Sequence, residues 1–323
     1  MITEHLAGGD CLNVGCVPSK ALLRAAKSIA EVKKCAAFGV ILPPGEIKLD
    51  FSKVMLYLRE KRAHISPADG HLAGVRVGAH VFQGRGKFVG PDSIRVGETV
   101  LKFKKAVVAV GGRPGVPSIP GLKQAPFTTN ESLFNLEVLP PRMVIIGAGV
   151  IALEMAQCFA AFGTHVTVLQ RSNALFASKQ GDPEAAKIIQ EELEKSGVHF
   201  LSGSTKQVTT LRERTDDTKE LPLMKLSIGT DNGDVDLECE CLLVATGRVA
   251  NVENLGLEEA GIEYEVGTGV KCNDLSQSVS NPNVYAVGDC VAGVPVSYQH
   301  CIVLIAVVIA VAVVIMCLDH YSP

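Results

Sequence analysis

Residues 142–171, RMVIIGAGVIALEMAQCFAAFGTHVTVLQR, hold the pattern that decides the fold of this chain. The apolar run predicts a short strand, Gly147-Ala148-Gly149 predicts a tight turn, residues 150–162 predict a helix, and a second apolar strand follows. A strand, a glycine turn, a helix and a strand in this order predict a parallel α/β unit whose turn can bind a dinucleotide. The alternative is a unit of the same shape that binds nothing.

The small residues of this unit each have a physical role. Gly147 permits the turn, and Gly149 lets the backbone approach a pyrophosphate. Ala152, in the place of a third glycine, lets the helix pack closely on the strand. The amino end of the helix carries partial positive charge toward the phosphates. These residues therefore predict a site for a nicotinamide dinucleotide.

The side chains at the end of the second strand are expected to determine whether the site prefers NAD or NADP. An acidic side chain there would hydrogen-bond the ribose 2′-hydroxyl of NAD and repel a 2′-phosphate. This chain has Gln170 and Arg171 instead. Because Arg171 can pair with a 2′-phosphate, the sequence favours NADP over NAD. The alternative is that Arg171 is a solvated surface charge.

A second informative stretch is GGDCLNVGCVPSK, residues 8–20. Cys11 and Cys16 are separated by four residues, so they can close a small disulfide loop, and the neighbouring glycines let the backbone bend tightly. Residues 21–30 are predicted to be helical, so the helix dipole would stabilise a thiolate near their start. The alternatives are a structural disulfide or two buried thiols.

The composition limits the classes of function. The chain has 323 residues, a net charge of −3 and a pI of about 6.3, so it is long enough for two domains and lacks the charge typical of nucleic-acid binding. Ten scattered cysteines suit a reducing compartment with one special pair. Cys239 and Cys241 share one face of a predicted strand, but no second ligand pair is suitably spaced, so no metal site is predicted.

Residues 302–318, IVLIAVVIAVAVVIMCL, form an uncharged apolar stretch of seventeen residues. As a helix they would span roughly 25 Å, which is the short edge of a membrane span. A single membrane-spanning helix is therefore one hypothesis, and it would make the protein membrane-associated. The alternatives are a buried strand, an aggregating tail or a tail produced by altered splicing or translation. In those cases the protein would be a soluble one of the cytoplasm or an organelle.

The chain resembles the flavin-dependent pyridine nucleotide-disulfide oxidoreductases, most of all their mercuric reductase-like members. The resemblance covers about residues 8–299. It is carried, in order, by the cysteine loop, the glycine turn, ATGR at 245–248 and NVYAVGD at 283–289. It implies an α/β fold with two Rossmann-like nucleotide-binding domains, three layers, parallel central sheets and small β meanders. Short apolar runs within 75–100 and 198–237 fit such meanders.

The resemblance also implies a division into domains. Residues 1–138 would be a partial FAD-binding domain with the redox disulfide, and residues 139–265 a complete NAD(P)-binding domain. Residues 266–301 would return to the FAD domain before the apolar tail at 302–318. The family's leading glycine-rich unit and its terminal interface domain have no counterpart here. We therefore expect weak FAD retention, unpaired central strands in the FAD domain and doubtful homodimer formation.

The implied reaction passes hydride from NADPH to FAD, then electrons to a Cys11–Cys16 disulfide, and finally to a small-molecule or protein disulfide substrate. In the family pattern Cys16 is the charge-transfer thiol and Cys11 the interchange thiol. Lys20 would lie near the flavin N5, paired with Glu154, and would stabilise the reduced flavin. The alternatives are that Lys20 is an exposed helix charge and Glu154 a surface acid.

The remaining implied contacts concern the cofactors. Asp289 would accept a hydrogen bond from the FAD ribityl chain, while Gly111 and Gly247 would allow close backbone approach to FAD and NADP. No paired cysteines near the C-terminus support mercury as the substrate. Two other functions stay open: a catalytically incompetent NADP(H)-binding protein, tethered to a membrane or not, and a thiol protein that binds a soft metal through the cysteine pair.

Overall fold

The computed structural model describes residues 1–43, 47–171, 182–214 and 220–293, and the backbone alone of residues 313–317. The chain divides into two compact units. Unit 1 contains Met1–Asn13, Ala63–Arg113 and Arg248–Pro323, and unit 2 contains Val14–Arg62 and Pro114–Gly247. Residues 14–62, which the predicted boundaries place with the FAD domain, thus group with the glycine-turn unit.

The helices and strands are numbered in chain order. The α-helices are α1 (Gly9–Asn13), α2 (Cys16–Lys34), α3 (Phe51–Asp69), α4 (His71–Arg76), α5 (Asn130–Leu133), α6 (Val150–Phe162) and α7 (Pro183–Lys195), with 3-10 turns at Cys35–Phe38, Leu122–Gln124 and Gly288–Cys290. The strands are β1 (Ile2–Thr3), β2 (Phe82–Gln83), β3 (Gly86–Gly90), β4 (Ser93–Val96), β5 (Thr99–Lys102), β6 (Lys105–Val108), β7 (Gly112–Pro114), β8 (Arg142–Ile146), β9 (His165–Gln170), β10 (Val198–Ser202), β11 (Ser204–Arg212), β12 (Leu223–Thr230), β13 (Gly233–Cys239), β14 (Cys241–Val244), β15 (Arg248–Ala250), β16 (Tyr264–Glu265), β17 (Gly269–Val270), β18 (Val284–Ala286) and β19 (Val313–Cys317).

Unit 2 is built on a parallel sheet in the order β10-β9-β8-β14. Strands β8 and β14 are almost wholly buried apolar runs, as expected for parallel strands covered on both faces. Helix α6 packs against this sheet and against α2, with the rings of Phe51, Phe159 and Phe162 in mutual contact. The α/β unit predicted from residues 142–171 is therefore present.

An antiparallel sheet in the order β11-β12-β13 completes the main structure of unit 2. Along β12, Met224, Leu226 and Ile228 are fully buried while the residues between them are partly exposed, which is the alternation of a strand with one face on a core. These three side chains join a single apolar cluster with Val144 and Val244 from the parallel sheet. The antiparallel sheet therefore shares one core with the glycine-turn unit.

Unit 1 is built on a second parallel sheet, in the order β18-β6-β19-β1-β2. Strand β19 pairs on one side with β6, where Val314 lies opposite Ala106, and on the other with β1, where Met316 lies opposite Ile2. The expectation of unpaired central strands is therefore wrong. The physical reason is that the backbone of 313–317 supplies hydrogen bonds to both neighbours.

The predicted membrane span is not supported. Residues 313–317 form a strand rather than part of a helix, in keeping with their β-branched valine and isoleucine side chains. The rest of 302–318 lies outside the described residues. Across the part of the chain that the structure describes, no helix has both the length and the apolar character needed to cross a membrane.

Two local expectations need correction. Helix α2 begins at Cys16 rather than at residue 21, so the second cysteine is its first residue. Residues 71–76 form α4, so the predicted meander starts later and consists of β3, β4 and β5. Its Phe88 and Ile94 are fully buried in the apolar cluster of unit 1. The predicted α/β fold with parallel central sheets and small β meanders is otherwise confirmed.

We predict that Phe159→Ala lowers the free energy of unfolding by about 3–5 kcal/mol, because it leaves a cavity among the aromatic rings of α3 and α6. Phe159 is 0 % exposed. The matched control is Phe38→Ala, since Phe38 is 84 % exposed and its truncation should change stability by no more than about 0.5 kcal/mol. Urea unfolding followed by circular dichroism measures both. Equal effects of the two variants would contradict the packing described.

Candidate functional site

The glycine turn of unit 2 connects β8 to α6. Gly147 has a positive φ of 114°, and its amide donates to the carbonyl oxygen of Leu169 at 3.0 Å. A Cβ built on Gly147 would lie 2.3 Å from the carbonyl oxygen of Ala245, at the end of the neighbouring strand β14. Both the backbone conformation and the close approach therefore require glycine here.

The amino end of α6 is open to a ligand. Gly149 is its N-cap, no side chain caps the helix among the described residues, and a Cβ built on Gly149 would meet nothing within 4 Å. The first amides of α6 are therefore available to an anionic group. Ala152, in the first turn of α6, is fully buried, and Gly247 follows β14 at the same edge of the sheet.

The two side chains at the end of β9, Gln170 and Arg171, differ in burial and in charge. Gln170 is buried, and its Nε2 donates to Ser202 Oγ at 3.3 Å, while its Oε1 has no partner among the described residues. Arg171 is exposed. Of the two side chains, only that of Arg171 is positively charged and accessible, so it is the one that can pair with a phosphate.

Lys20 and Glu154 form an ion pair within unit 2, with Lys20 Nζ 3.0 Å from Glu154 Oε1. The hydrogen bond from Lys20 to Glu154 raises the pKa of the Lys20 ammonium and outweighs the opposing effect of partial burial. Cys16 lies one turn before Lys20 on α2, and its exposed thiol adds a smaller upward contribution to the same pKa. Cys158 is buried beside the pair, and burial raises its own pKa.

A cavity of about 650 Å³ lies within unit 1. Its walls include the glycine loop before α1, the exposed Cys11, the loop at Gly111 after β6, and Asp289 after β18. Three loops that each follow a parallel strand thus converge on one space, which is where open α/β sheets bind ligands. Cys11 and Asp289, chosen from separate motifs in the sequence, both line it.

Arg248 links three acceptors in the wall of this cavity. Its Nε donates to Asp289 Oδ2 at 2.6 Å, and its Nη2 donates to Asp10 Oδ2 and to the carbonyl oxygen of Gly112. Burial lowers the pKa of Arg248, but the two carboxylates outweigh this and the pKa is raised. Sequence reasoning missed Asp10 and Arg248, although Arg248 is the last residue of the ATGR motif.

The cavity suits a polar, hydroxyl-bearing ligand such as a flavin nucleotide. Thr3 is 1 % exposed and lines the cavity, yet its Oγ1 has no hydrogen-bond partner among the described residues. A buried hydroxyl without a partner is unfavourable, and a ligand atom would satisfy it. Gly111 has a positive φ of 62°, and a Cβ there would meet nothing within 4 Å, so its backbone is open to the ligand.

The other described cysteines do not form a site. Cys239 and Cys241 are buried, and burial raises the pKa of each thiol to about 12. Within the described ranges, no group of three or more His, Cys, Asp or Glu side chains is arranged to hold a metal ion. The reactive thiols are therefore best sought at the exposed Cys11 and Cys16.

Comparison with known proteins identifies the family. The family model for the pyridine nucleotide-disulphide oxidoreductases matches residues 1–303. Because the match covers more than half of the sequence, the chain belongs to this family, which confirms the resemblance seen in its motifs.

Two curated relatives and one solved structure illustrate the likeness. Mercuric reductase of Lysinibacillus sphaericus is 32 % identical over 299 residues, which cover 91 % of this chain and 51 % of that protein. Dihydrolipoyl dehydrogenase of Chlamydia muridarum is 32 % identical over 295 residues, which cover 90 % and 59 %. The HOCl-induced flavoprotein disulfide reductase RclA from Escherichia coli shares the fold, with a TM-score of 0.75 at 24 % identity over 93 % of this chain and 62 % of that one. The chain thus spans about half the length of the curated relatives it matches.

We predict that Gly147→Ala destabilises the protein by about 1–3 kcal/mol, because the new Cβ strains a positive φ and meets the Ala245 carbonyl. Gly149→Ala is the matched control, since its Cβ points into open space and should change stability by less than about 1 kcal/mol. Thermal unfolding separates the two variants. If Gly147→Ala were as stable as Gly149→Ala, the turn would not have the geometry described.

Proposed function

We propose that this protein is a FAD-dependent NAD(P)H:disulfide oxidoreductase whose redox-active pair is Cys11 and Cys16. The observation that carries the proposal is the cavity of unit 1, which gathers Cys11, Gly111 and Asp289 from three separate motifs. The bound flavin would supply the two-electron link between the nicotinamide and the disulfide. The acceptor would be a small-molecule or protein disulfide.

The cysteine pair would carry electrons by thiol–disulfide exchange. Two electrons and two protons convert the Cys11–Cys16 disulfide into two thiols. The Cys11 thiolate then attacks one sulfur of the substrate disulfide, forming a mixed disulfide and releasing the first substrate thiol. The Cys16 thiolate attacks the Cys11 sulfur, which releases the second thiol and closes the Cys11–Cys16 bond again. The exposure of both sulfurs supports these roles.

Lys20, held by its ion pair with Glu154, would provide a positive charge that stabilises negative charge formed during this reaction. Lys20 is positively charged at neutral pH, and the hydrogen bond to Glu154 raises its pKa further above the ordinary value. The Lys20 ammonium lies one helical turn after Cys16 on α2. The same ammonium would favour negative charge on a reduced flavin beside it.

Unit 2 would hold the nicotinamide nucleotide at its glycine turn. The uncapped amides at the start of α6 would receive the pyrophosphate, with Gly149 and Gly247 allowing close approach. Arg171 would pair with a 2′-phosphate, so NADP is proposed over NAD.

A second candidate is a NADP(H)-binding protein without disulfide reductase activity. It is favoured by one observation, namely that the open amino end of α6 can receive a dinucleotide without any contribution from the cysteine pair. Bound FAD that is reduced by NADPH would exclude this candidate, because nucleotide binding alone needs no flavin.

We predict that, in the FAD-loaded and oxidised chain, Cys11 and Cys16 resist alkylation until NADPH is added. Reduction opens the disulfide, and mass spectrometry of peptides should then find both cysteines labelled. Cys16→Ser should leave Cys11 labelled before NADPH is added, whereas Cys35→Ser, outside the pair, should behave like the wild type. Equal labelling with and without NADPH would contradict the proposed redox pair.

Arg171→Ala should weaken binding of NADPH about tenfold while leaving NADH within about twofold, because the lost ion pair involves only the 2′-phosphate. The matched control is Lys187→Ala, which removes an exposed positive charge from α7 in the same unit. Nucleotide fluorescence titration measures both affinities. An equal loss for NADPH and NADH would mean that Arg171 does not read the 2′-phosphate.

A further inference from the structure

The cavity of unit 1 is acidic for a site proposed to bind an anion. Its described lining contains three carboxylates, Asp10, Asp69 and Asp289, and one basic side chain, Arg248, which leaves a net formal charge of −2 on the side chains, or −1 with the amino group of Met1. A ligand with a pyrophosphate is itself negatively charged, so repulsion opposes its entry. Arg248 is the side chain in this lining that can offset that repulsion.

The donors of Arg248 are largely occupied within the protein. Asp289 takes Nε, while Asp10 and the Gly112 carbonyl share Nη2. The two N–H groups of Nη1 have no acceptor among the described residues. An anionic ligand can therefore reach this guanidinium through Nη1, but its attraction is reduced by the carboxylates already in place.

We propose that Asp10 tunes the affinity of this cavity for phosphate-bearing nucleotides by competing with their pyrophosphate for the guanidinium of Arg248. The inference rests on the proposed function, because it takes a flavin nucleotide as the ligand. Arg248 is then a nucleotide-binding residue, and Asp10 is a positioning residue that acts through it.

Asp289 and Asp10 both accept hydrogen bonds from Arg248, but they are expected to affect ligand binding differently. Asp289 lies after β18 and uses one oxygen for Arg248, which leaves Oδ1 for a ligand hydroxyl. Asp10 lies in α1, next to Gly8 and Gly9, and all three residues line the cavity. Its carboxylate adds negative charge on this side of the cavity. Thr3 also lines this cavity, and its buried hydroxyl has no partner among the described residues.

The decisive variant is Asp10→Asn, which removes the charge but keeps an amide oxygen that can still accept from Arg248 Nη2. Flavin fluorescence and calorimetric titrations of the full chain would use FAD, ADP and riboflavin as probes. We expect FAD and ADP to bind about tenfold more tightly than to the wild type, and riboflavin, which lacks phosphate, to change by less than about twofold.

The matched control is Asp69→Asn. It removes the same charge from the same lining, but no hydrogen bond joins Asp69 to Arg248 among those the described residues show. We expect less than about a threefold change for any of the three probes, because the charge is exposed and screened.

A double-mutant cycle tests whether Asp10 acts through Arg248. Arg248→Met should weaken FAD and ADP binding, and in that background Asp10→Asn should change either affinity by less than about twofold. Should Arg248→Met fail to fold by circular dichroism, the comparison of Asp10→Asn with Asp69→Asn still decides the matter.

The outcomes separate the inference from the proposed function. If FAD binds but Asp10→Asn shifts riboflavin as much as FAD, or matches Asp69→Asn, the competition is overturned while the proposed function stands. If neither the wild type nor Asp10→Asn binds FAD or ADP, both are overturned. The inference is supported if Asp10→Asn binds FAD and ADP more tightly than the wild type does, while its affinity for riboflavin stays the same.

Discussion

Parallel pairing of strands is the constraint on which both candidate sites depend. It brings the carboxyl ends of neighbouring strands to one edge of a sheet, where the following loops must meet. In unit 2, Gly147 follows β8, Gln170 ends β9, and Gly247 follows β14. In unit 1, Gly111 follows β6 and Asp289 follows β18. Residues that are far apart in the sequence therefore share a site because of strand register.

The two sites attract a nucleotide by different means. In unit 2 the turn offers backbone amides and the amino end of a long helix, so its attraction for phosphate needs no charged side chain. In unit 1 the walls carry side-chain charges, and a half-buried Arg248 stands between Asp10 and Asp289. Paired charges of this kind offset the free-energy cost of removing one another from water. Each charge also attracts a ligand less strongly, because its partner already interacts with it.

Strand β19 shows how composition alone can mislead. An uncharged run rich in valine and isoleucine suits a membrane helix, a buried strand or an aggregating segment equally well. In the described part of that run, 313–317, the outcome is a strand, because β1 and β6 each present a row of backbone groups that it pairs. The partner that decides this is more than two hundred residues away in the sequence.

The sequence by itself determined the local units: the strand–turn–helix–strand of residues 142–171, the tight turn at Gly147 and the existence of a helix at the cysteine loop. These depend on neighbouring residues, so periodicity and glycine placement were sufficient to predict them. Only the tertiary structure decided that Arg248 lies between Asp10 and Asp289, and that β19 pairs with β1. Such contacts depend on the order and register of the strands. These are set by packing between residues that are far apart in the sequence, so no pattern among neighbouring residues predicts them.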